Sequence, residues 1–464
     1  MSGIDNHITK EDSGSVFYAA AQTLRRYVSG GNMLFIATVL ALVAANLPVV
    51  RDFYAGFWEQ SVRLQVGEFN VFSHSGRPMT LLEFINDALM AVFFFSIGLE
   101  IKREILVGEL ASFRQALLPI MGAIGGMAVP VVIFLLLSYG SDYADGAAIP
   151  MATDIAFSLG VLALLGSRVP VALKIFLTTL AVVDDIGGIV VIAVFYSNHI
   201  ELTYLLYAFG GFALMLLGST FGIRTKAFYL TIGAAVWFLF LNSGVHPTIA
   251  GVLVAFCVPA KPVYAPKMYI KKMRSAIGRF NSENDEMLTR RTILTNDQMD
   301  WLKQVESASD KVISPLQDLE DSLHPIVNML IVPLFAFANA GIFLLDLEAS
   351  SIVGGISLAI ILSLVIGKSV GILGMAWLTV KLHLAPMPDG CNWKMMASTA
   401  VLCGIGFTVS LFIAGLTFGS GSPSDIELLN EAKLGIVAGS LLAGLCGFLL
   451  LHHFLPKRAI KPAD

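Results

Sequence analysis

The chain has 464 residues, of which 56% are hydrophobic and 14% charged, and its mean hydropathy is +0.76. Because soluble domains carry about 25% charged residues, this composition excludes an ordinary water-soluble enzyme and indicates one polytopic membrane unit. The net charge of −4 provides no basic surface for nucleic acid, and the four cysteines lack the CxxC spacing of a zinc site.

About twelve apolar stretches are long enough to span a bilayer, which takes about 20 residues. The first stretch follows a polar segment, 1–31, that contains acidic residues. A cleaved signal peptide has a short basic head and a shorter apolar core, so we interpret this stretch as a retained first span and 1–31 as a cytoplasmic segment. Lys and Arg fall on alternate sides of successive stretches, so the positive-inside rule predicts that both termini are cytoplasmic. The stretches lie near residues 32–50, 81–99, 115–138, 149–166, 171–196, 202–222, 228–243, 247–260, 325–345, 353–380, 395–418 and 434–455.

Two connections are long enough to carry structure of their own. In the external segment 57–80, apolar and polar side chains alternate over 62–71, which predicts a β-hairpin. Because an isolated hairpin is marginal in water, we expect it to pair with a copy in a second subunit. The insert 261–322, which separates the first eight predicted helices (32–260) from the last four (323–456), carries no motif and is predicted to be partly helical or flexible. A cytoplasmic tail follows at 457–464.

The second predicted span carries acidic residues near both ends. Asp87 lies near its start, whereas Glu100 and Glu104 flank Lys102 and Arg103 at its cytoplasmic end. A solvated helix end and a functional role are both consistent with Glu100 and Glu104.

The fourth and fifth predicted spans contain acids where hydrocarbon makes them costly, so these acids are candidate functional residues. Pro150 precedes Thr153 and Asp154 and removes a helix hydrogen bond. This predicts an interrupted helix whose free backbone groups can coordinate an ion, although Asp154 could also simply cap a kink. Asp184 and Asp185 are adjacent and point about 100° apart on a helix, so both can border one cavity. A buried ion pair between helices is the alternative.

Three later features complete the candidate set. His246 lies at an external turn, where it can titrate near neutrality or serve as a simple turn residue. Lys368 lies in the middle of a span and requires a counter-ion, for which Asp184 or Asp154 is suitable. Residues 403–408, with the sequence CGIGFT, form either a second helix interruption or a packing notch.

These residues favour a cation/proton antiporter over other membrane proteins. Carboxylates can serve alternately as hard oxygen ligands and as proton carriers, which suits paired acids beside an interrupted helix. An intramembrane aspartyl protease typically carries a GxGD signature, which is absent here. A channel requires no paired acids opposed by Lys, and the sequence shows no repeated filter loop. Symport of sodium with an organic solute remains the alternative.

Five sequence runs closely resemble those of the NhaA-type bacterial sodium/proton antiporters, and the resemblance extends from the first span to the last. The resemblance implies an all-α membrane protein of about twelve transmembrane helices, with inverted repeats and two interrupted helices. It also implies an electrogenic, pH-regulated exchanger in the bacterial inner membrane, with no cofactor beyond the transported Na⁺, Li⁺ and H⁺. The runs are 86–95 (NDALMAVFFF), 98–104 (GLEIKRE), 152–157 (ATDIAF), 183–187 (VDDIG) and 333–341 (PLFAFANAG).

The resemblance also implies roles for individual residues. Asp185 corresponds to the principal ligand of Na⁺ or Li⁺, and Asp184 to a proton carrier that also contributes to the cation site and pairs with Lys368. Thr153 and Asp154 correspond to the interrupted helix, where the carboxylate offsets the positive ends of two half-helices. The residues implied at the entrance, in pH regulation or as accessory acids are Glu100, Glu104, His246, Glu320 and Asp87.

Overall fold

The computed structural model describes residues 30–456, except for 64, 67–68, 71, 75–76, 198–199, 262–269, 272–273, 276–295, 297–298, 301, 304–312, 345–353 and 420–421. The predicted N-terminal segment up to residue 29, most of the predicted insert and the tail 457–464 therefore lie outside the described residues. The expectations for these segments, including the cytoplasmic location of both termini, remain predictions.

The described chain is a bundle of apolar helices. Seven of them are long and apolar enough to cross a membrane, and three bent helix pairs bring the number of candidate spans to as many as ten in the described part. Two shorter apolar helices, Lys226–Leu241 and Pro247–Cys257, follow one another between these spans. In chain order the helices are α1 (Gly30–Asn46), α2 (Arg51–Trp58), α3 (Leu81–Val107), α4 (Phe113–Leu137), α5 (Ile155–Leu164), α6 (Val171–Phe195), α7 (Leu202–Thr220), α8 (Lys226–Leu241), α9 (Pro247–Cys257), α10 (Pro315–Asn339), α11 (Gly355–Lys381), α12 (Trp393–Leu402), α13 (Phe407–Phe418) and α14 (Pro423–Phe454).

Two short antiparallel ladders lie between α2 and α3. Strand β1 (Gln65–Val66) pairs with β2 (Phe69–Asn70), and β3 (Ser73–His74) pairs with β4 (Arg77–Pro78). An isolated bridge between Ser61 and Thr80 closes the base of this segment. Each strand has two residues, so the pairing within one chain is short.

Several helices extend beyond the predicted apolar stretches. Helix α2, which turns 113° from α1, lies where the sequence predicted the end of one span and the start of a loop. Helix α10 begins at Pro315 with Ser314 as its N-cap. Glu320 therefore lies in this helix, whereas the sequence predicted that it lies in the insert. Hydropathy missed its first turns because they are polar, and it likewise missed the start of α14, which Ser422 caps. Helix α10 therefore begins before the boundary at 322–323 that we predict between the insert and the next span.

Glycines bring the central helices unusually close together. A Cβ on Gly371 of α11 would lie 2.1 Å from the carbonyl oxygen of Gly125 on α4, and a Cβ on Gly251 of α9 would lie 2.3 Å from that of Ala91 on α3. Small residues allow such contact where lipid supplies no hydrophobic drive for helix association. The α4–α11 contact matters for function because it holds the helix that carries Lys368 against the centre of the bundle.

Candidate ion-binding site

Two interrupted helices cross at the centre of the described bundle. The first consists of a 3₁₀-helix, Ala144–Met151, followed by an extended break and then α5, with a bend of 41°. The second is interrupted between α12 and α13, with a bend of 42°. The two breaks are hydrogen-bonded to each other: the Asp154 N–H donates to the Ile405 carbonyl (2.6 Å), and the Thr153 hydroxyl donates to the Cys403 carbonyl (3.0 Å). Residues 403–408 therefore form an interruption and not merely a packing notch.

The carboxylate of Asp154 caps the N-termini of both half-helices. Its Oδ1 accepts from the Phe157 N–H of α5 (3.0 Å), and its Oδ2 accepts from the N–H (3.1 Å) and hydroxyl (2.8 Å) of Thr408 on α13. Helix N-termini carry unsatisfied N–H groups and a partial positive charge. One buried carboxylate thus satisfies donors from two helices at the point where they meet.

Lys368 is fully enclosed at this crossing, with no solvent exposure. Its ammonium donates to Asp184 Oδ2 (2.6 Å), to the Thr153 hydroxyl oxygen (3.0 Å) and to the Met151 carbonyl at the end of the 3₁₀-helix. An ammonium has three N–H donors, so all of them are used. Of the two carboxylates that the sequence offered as counter-ion, the structure places Asp184 against Lys368.

The two adjacent acids of α6 have different surroundings. Asp184 is 1% exposed, and its Oδ1 has no hydrogen-bond partner in the described part of the chain. Asp185 lines a cavity. The turn of the helix therefore directs one carboxylate toward Lys368 and the other toward the cavity.

The cavity beside Asp185 has a volume of about 160 Å³. It lies between α3, α5, α6, α10 and α13, and its walls combine oxygen-bearing side chains with apolar ones. Carboxylate and hydroxyl oxygens are the ligands that hard cations prefer. The lining oxygens belong to Ser96, Glu100, Thr153, Asp154, Asp185, Asn328 and Thr408.

An ion-pair network adjoins the cavity at the end of α3. Arg103 bonds to Glu320 of α10 (2.6 Å) and to Glu104 (2.8 Å). Glu104 also accepts from the Glu109 N–H (3.1 Å), which caps the following turn. Glu100, one turn earlier on α3, lines the cavity itself. The structure thus divides the acids predicted for the entrance between the cavity wall and this network.

Asp87 and His246 lie together, but neither lines the cavity that Asp185 lines. The His246 Nε2 atom is 3.8 Å from Asp87 Oδ1, and its Nδ1 is 2.8 Å from the hydroxyl of Thr248. The imidazole also stands edge-on to the buried ring of Phe412, with the centroids 5.4 Å apart. Asp87 thus lies in contact with a residue predicted to titrate.

Sequence reasoning overlooked two polar contacts that organise the site. The sequence pattern marks Thr408 only as the end of a glycine-rich run, although it bonds twice to Asp154. Asn86 and Asn339 form an amide pair between α3 and α10, with the Asn339 Nδ2 2.8 Å from the Asn86 Oδ1. Both asparagines occur within apolar stretches, so the signal that selected the acids could have found them.

These features define a multi-pass membrane protein with acidic residues at the crossing of two interrupted helices, an arrangement typical of secondary transporters. The family model for Na⁺/H⁺ antiporter 1 matches residues 21–451. The chain belongs to this family.

Curated relatives named Na⁺/H⁺ antiporter NhaA are similar to the chain over nearly its whole length. The protein from Bacteroides fragilis is 52% identical over 432 residues, covering 93% of this chain and 97% of the relative. The Bacteroides thetaiotaomicron protein is 49% identical, covering 95% and 99%. The Porphyromonas gingivalis protein is 46% identical, covering 92% and 94%. The resemblance that the sequence runs indicated is therefore confirmed.

Proposed function

We propose that this protein exchanges cytoplasmic Na⁺ or Li⁺ for external H⁺. The observation that carries the proposal is that two adjacent acids have different surroundings. Asp185 lines the cavity, whereas Asp184 is enclosed and paired with Lys368. The first can meet a cation that arrives through water. Asp184 can take up a proton only when its ion pair with Lys368 breaks.

The mechanism is competition for the same oxygens. A hard cation binds deprotonated carboxylates, so binding of Na⁺ at Asp185 releases protons, and protonation releases the cation. Asp184 and Asp185 take up and release protons as a coupled pair because they are adjacent in one enclosed region. When Na⁺ arrives, its positive charge can replace the ammonium as the counter-charge of Asp184, which frees Lys368 to move or to lose a proton.

The crossing point supplies fixed partners for this competition. The Thr153 hydroxyl lies within hydrogen-bond distance of Lys368 and lines the cavity of Asp185, so it can respond to changes at both acids. Asp154 is saturated by donors from two half-helices. Its role is to neutralise their positive ends, which would otherwise repel a cation beside Asp185.

Cavity size favours exchange of a small ion over symport with an organic solute. Pockets for organic ligands measure about 300–1,000 Å³, whereas the cavity beside Asp185 has about 160 Å³. A cation with a few water molecules fits this space.

The proposal includes a membrane arrangement and its regulation. The protein has twelve spans with both termini cytoplasmic, lies in the bacterial inner membrane, and forms a homodimer through the external β-strands. Transport is electrogenic, because more than one proton returns for each cation expelled, and each net charge then contributes about 2.3 kcal/mol per 100 mV. Glu100, Glu104, Glu320 and His246 set the pH dependence, with Asp87 as the acid beside His246.

The test is cation-driven proton flux in everted membrane vesicles. Adding Na⁺ or Li⁺ should dissipate a preformed ΔpH with the natural protein. It should have no effect with Asp185→Asn, because the amide keeps the shape of the side chain but neither attracts a cation nor accepts a proton. Asp145→Asn, which changes an acid outside the cavity lining, serves as the matched control. Normal flux in well-expressed Asp185→Asn vesicles would refute the proposal.

A further inference from the structure

A second cavity, of about 480 Å³, lies between the end of α3, the start of α4 and α6. We call it the α3–α4–α6 chamber. It shares no lining residue with the cavity beside Asp185. Its oxygen-bearing side chains are Glu104, Glu109, Gln115, Thr178 and Thr179, and its lining contains no basic side chain.

Two of these side chains have no partner within the described residues. Thr179 is 3% exposed, and its hydroxyl forms no hydrogen bond there. The Glu109 carboxylate forms no ion pair in the described chain, whereas the carboxylate of Glu104 is engaged by Arg103. This oxygen is not one of the fully enclosed polar atoms that lack a partner, so it is accessible from the chamber that it lines. The Thr179 hydroxyl is thus available to a ligand or to water in the chamber.

Thr178 adds a further acceptor to the same wall. Its hydroxyl donates to the Lys174 carbonyl of its own helix at 2.7 Å, which leaves the lone pairs of that oxygen available. With the carboxylate of Glu109 and the amide oxygen of Gln115, the wall offers hard oxygen ligands and net negative charge. This set suits a monovalent metal cation.

The chamber lies directly along the helix from the ion site. Thr178 and Val182 are on the face of α6 that turns toward Asp185, about 10 Å and about 4.5 Å away along the helix axis. Val182 lines the chamber and is 1% exposed. On α3, Glu104 of the chamber is one turn from Glu100 of the other cavity. A single helical turn on each of two helices therefore separates the two cavities.

We propose that the α3–α4–α6 chamber binds a hydrated Na⁺ or Li⁺ ion, with Glu109 and Thr179 as ligands, and is a second approach to Asp185 from the cytoplasmic side. This inference rests on the proposed exchange function and its orientation. A volume of about 480 Å³ lies in the size range of pockets for organic ligands, so the oxygen ligands of the chamber, and not its size, select a cation. The cation is held with several water molecules, each of which occupies about 30 Å³ in the liquid. The chamber raises the local concentration of the cation close to Asp185, from which Val182 separates it.

The experiment measures how exchange depends on Na⁺ at each face of the membrane. In everted vesicles, Glu109→Gln and Thr179→Val should each raise the Na⁺ concentration for half-maximal exchange by about three- to tenfold, the range for losing one ligand to a bound ion. The maximal rate should stay within about twofold of the natural protein. Because both ligands hold the same ion, the double variant should fall short of the product of the two single effects. In right-side-out vesicles, the dependence on external Na⁺ should not change.

Matched controls separate a specific site from general effects of charge or packing. Asp300→Asn removes an exposed carboxylate outside the chamber, and Thr220→Val removes a hydroxyl that donates within its own helix; both should retain natural half-saturation. The proposed cation site would be refuted if Glu109→Gln and Thr179→Val left the Na⁺ concentration for half-maximal exchange unchanged, whether or not the maximal rate fell. Glu109 lies in a half-buried turn, so Glu109→Gln still tests the proposal if Thr179→Val fails to insert into the membrane. Absence of Na⁺-driven flux in the natural protein would refute the exchange function instead.

Discussion

Lys368 and Asp184 form an ion pair from which water is excluded, since neither side chain has any exposure. Removing one partner of such a pair leaves an uncompensated buried charge, at a cost of about 3–5 kcal/mol. We therefore expect Lys368→Ala to lower the melting temperature and to shift any residual exchange toward alkaline pH, because Asp184 is then neutralised more readily by a proton. Thermal unfolding in detergent and the pH profile of vesicle exchange check both effects.

The control for this prediction lies on the same helix. Lys381, in the last turn of α11, stands 4.4 Å above the ring centroid of Trp377 and is far from the ion pair along the chain. Lys381→Ala should leave both measurements close to those of the natural protein. An unchanged melting temperature and pH profile in Lys368→Ala would mean that its charge is not coupled to Asp184.

Glu320 is the acid of the network at the end of α3 that comes from another helix. It is 8% exposed and bonds to Arg103 at 2.6 Å. In Glu320→Gln, the freed guanidinium stabilises the charged form of the neighbouring Glu100. We expect the half-activity point to move toward lower pH with an unchanged maximal rate, as measured by exchange in vesicles across a pH series.

Asp318→Asn tests whether any acid on this part of α10 would have the same effect. Asp318 pairs with Lys226 at 2.6 Å and does not contact Arg103, so its variant should keep the natural pH profile. If Glu320→Gln instead weakened Na⁺ affinity equally at every pH, Glu320 would belong to the ion path and not to a regulatory network.

Among the elements, the contact between α4 and α11 sets where Lys368 lies. A Cβ on Gly371 would lie 2.1 Å from the Gly125 carbonyl oxygen, so Gly371→Ala must push the two backbones apart. Overpacking of this kind costs about 1–3 kcal/mol. We expect a lower melting temperature and a loss of exchange, because the Lys368 ammonium would be displaced from Asp184.

Gly374→Ala provides the comparison on the same helix. A Cβ at this position meets nothing within 4 Å, so only the gain in helix propensity remains. This variant should be at least as stable as the natural protein and fully active. Equal stability and activity of Gly371→Ala would show that α4 and α11 can separate without disturbing the site.

The two helix interruptions can exist inside the membrane because their free backbone groups find partners. A backbone break in a membrane exposes N–H and C=O groups that lipid cannot satisfy. Here the breaks satisfy each other, as in the bond from the Asp154 N–H to the Ile405 carbonyl, and Asp154 completes both half-helices. The remaining polarity is directed toward Lys368 on one side and the cavity of Asp185 on the other.

For the whole molecule, the proposed dimer makes a separate prediction. Each antiparallel ladder between α2 and α3 pairs strands of two residues, which is marginal alone. Deleting 65–78 while keeping Ser61, Val62, Met79 and Thr80 preserves the bridge at the base and the capping box of Thr80 and Glu83. We expect monomers by size-exclusion chromatography with light scattering, and persistent exchange in vesicles.

The same deletion can also contradict the proposal. A dimer that survives the deletion would place the subunit interface elsewhere. Loss of exchange in correctly inserted monomers would mean that the dimer, and not the single chain, is the transporting unit. Replacing the segment with a flexible linker of equal length controls for a change in the spacing of α2 and α3.

The amino-acid sequence by itself determined the class of the protein and its main candidate residues. Long apolar stretches must become helices because lipid cannot satisfy backbone groups, and an acid, a lysine or Pro150 is conspicuous in such a stretch. Asp154, Asp184, Asp185 and Lys368 could therefore be selected without a structure. The polar ends of α10 and α14 escaped the same reasoning, because hydropathy reports the membrane and not the helix.

Only the tertiary structure decided which of these residues meet. Lys368 could have paired with Asp184 or Asp154, and Thr408 was not recognised as a partner of Asp154 at all. The helix faces are nearly uniformly apolar, so the sequence pattern does not specify which faces touch. Glycine contacts such as Gly125–Gly371 and the hydrogen bonds between the two breaks determine the packing instead. These contacts join residues far apart in sequence. The pairing of Lys368 with Asp184, and the access of Asp185 to the cavity, therefore follow from helix packing and not from any local pattern.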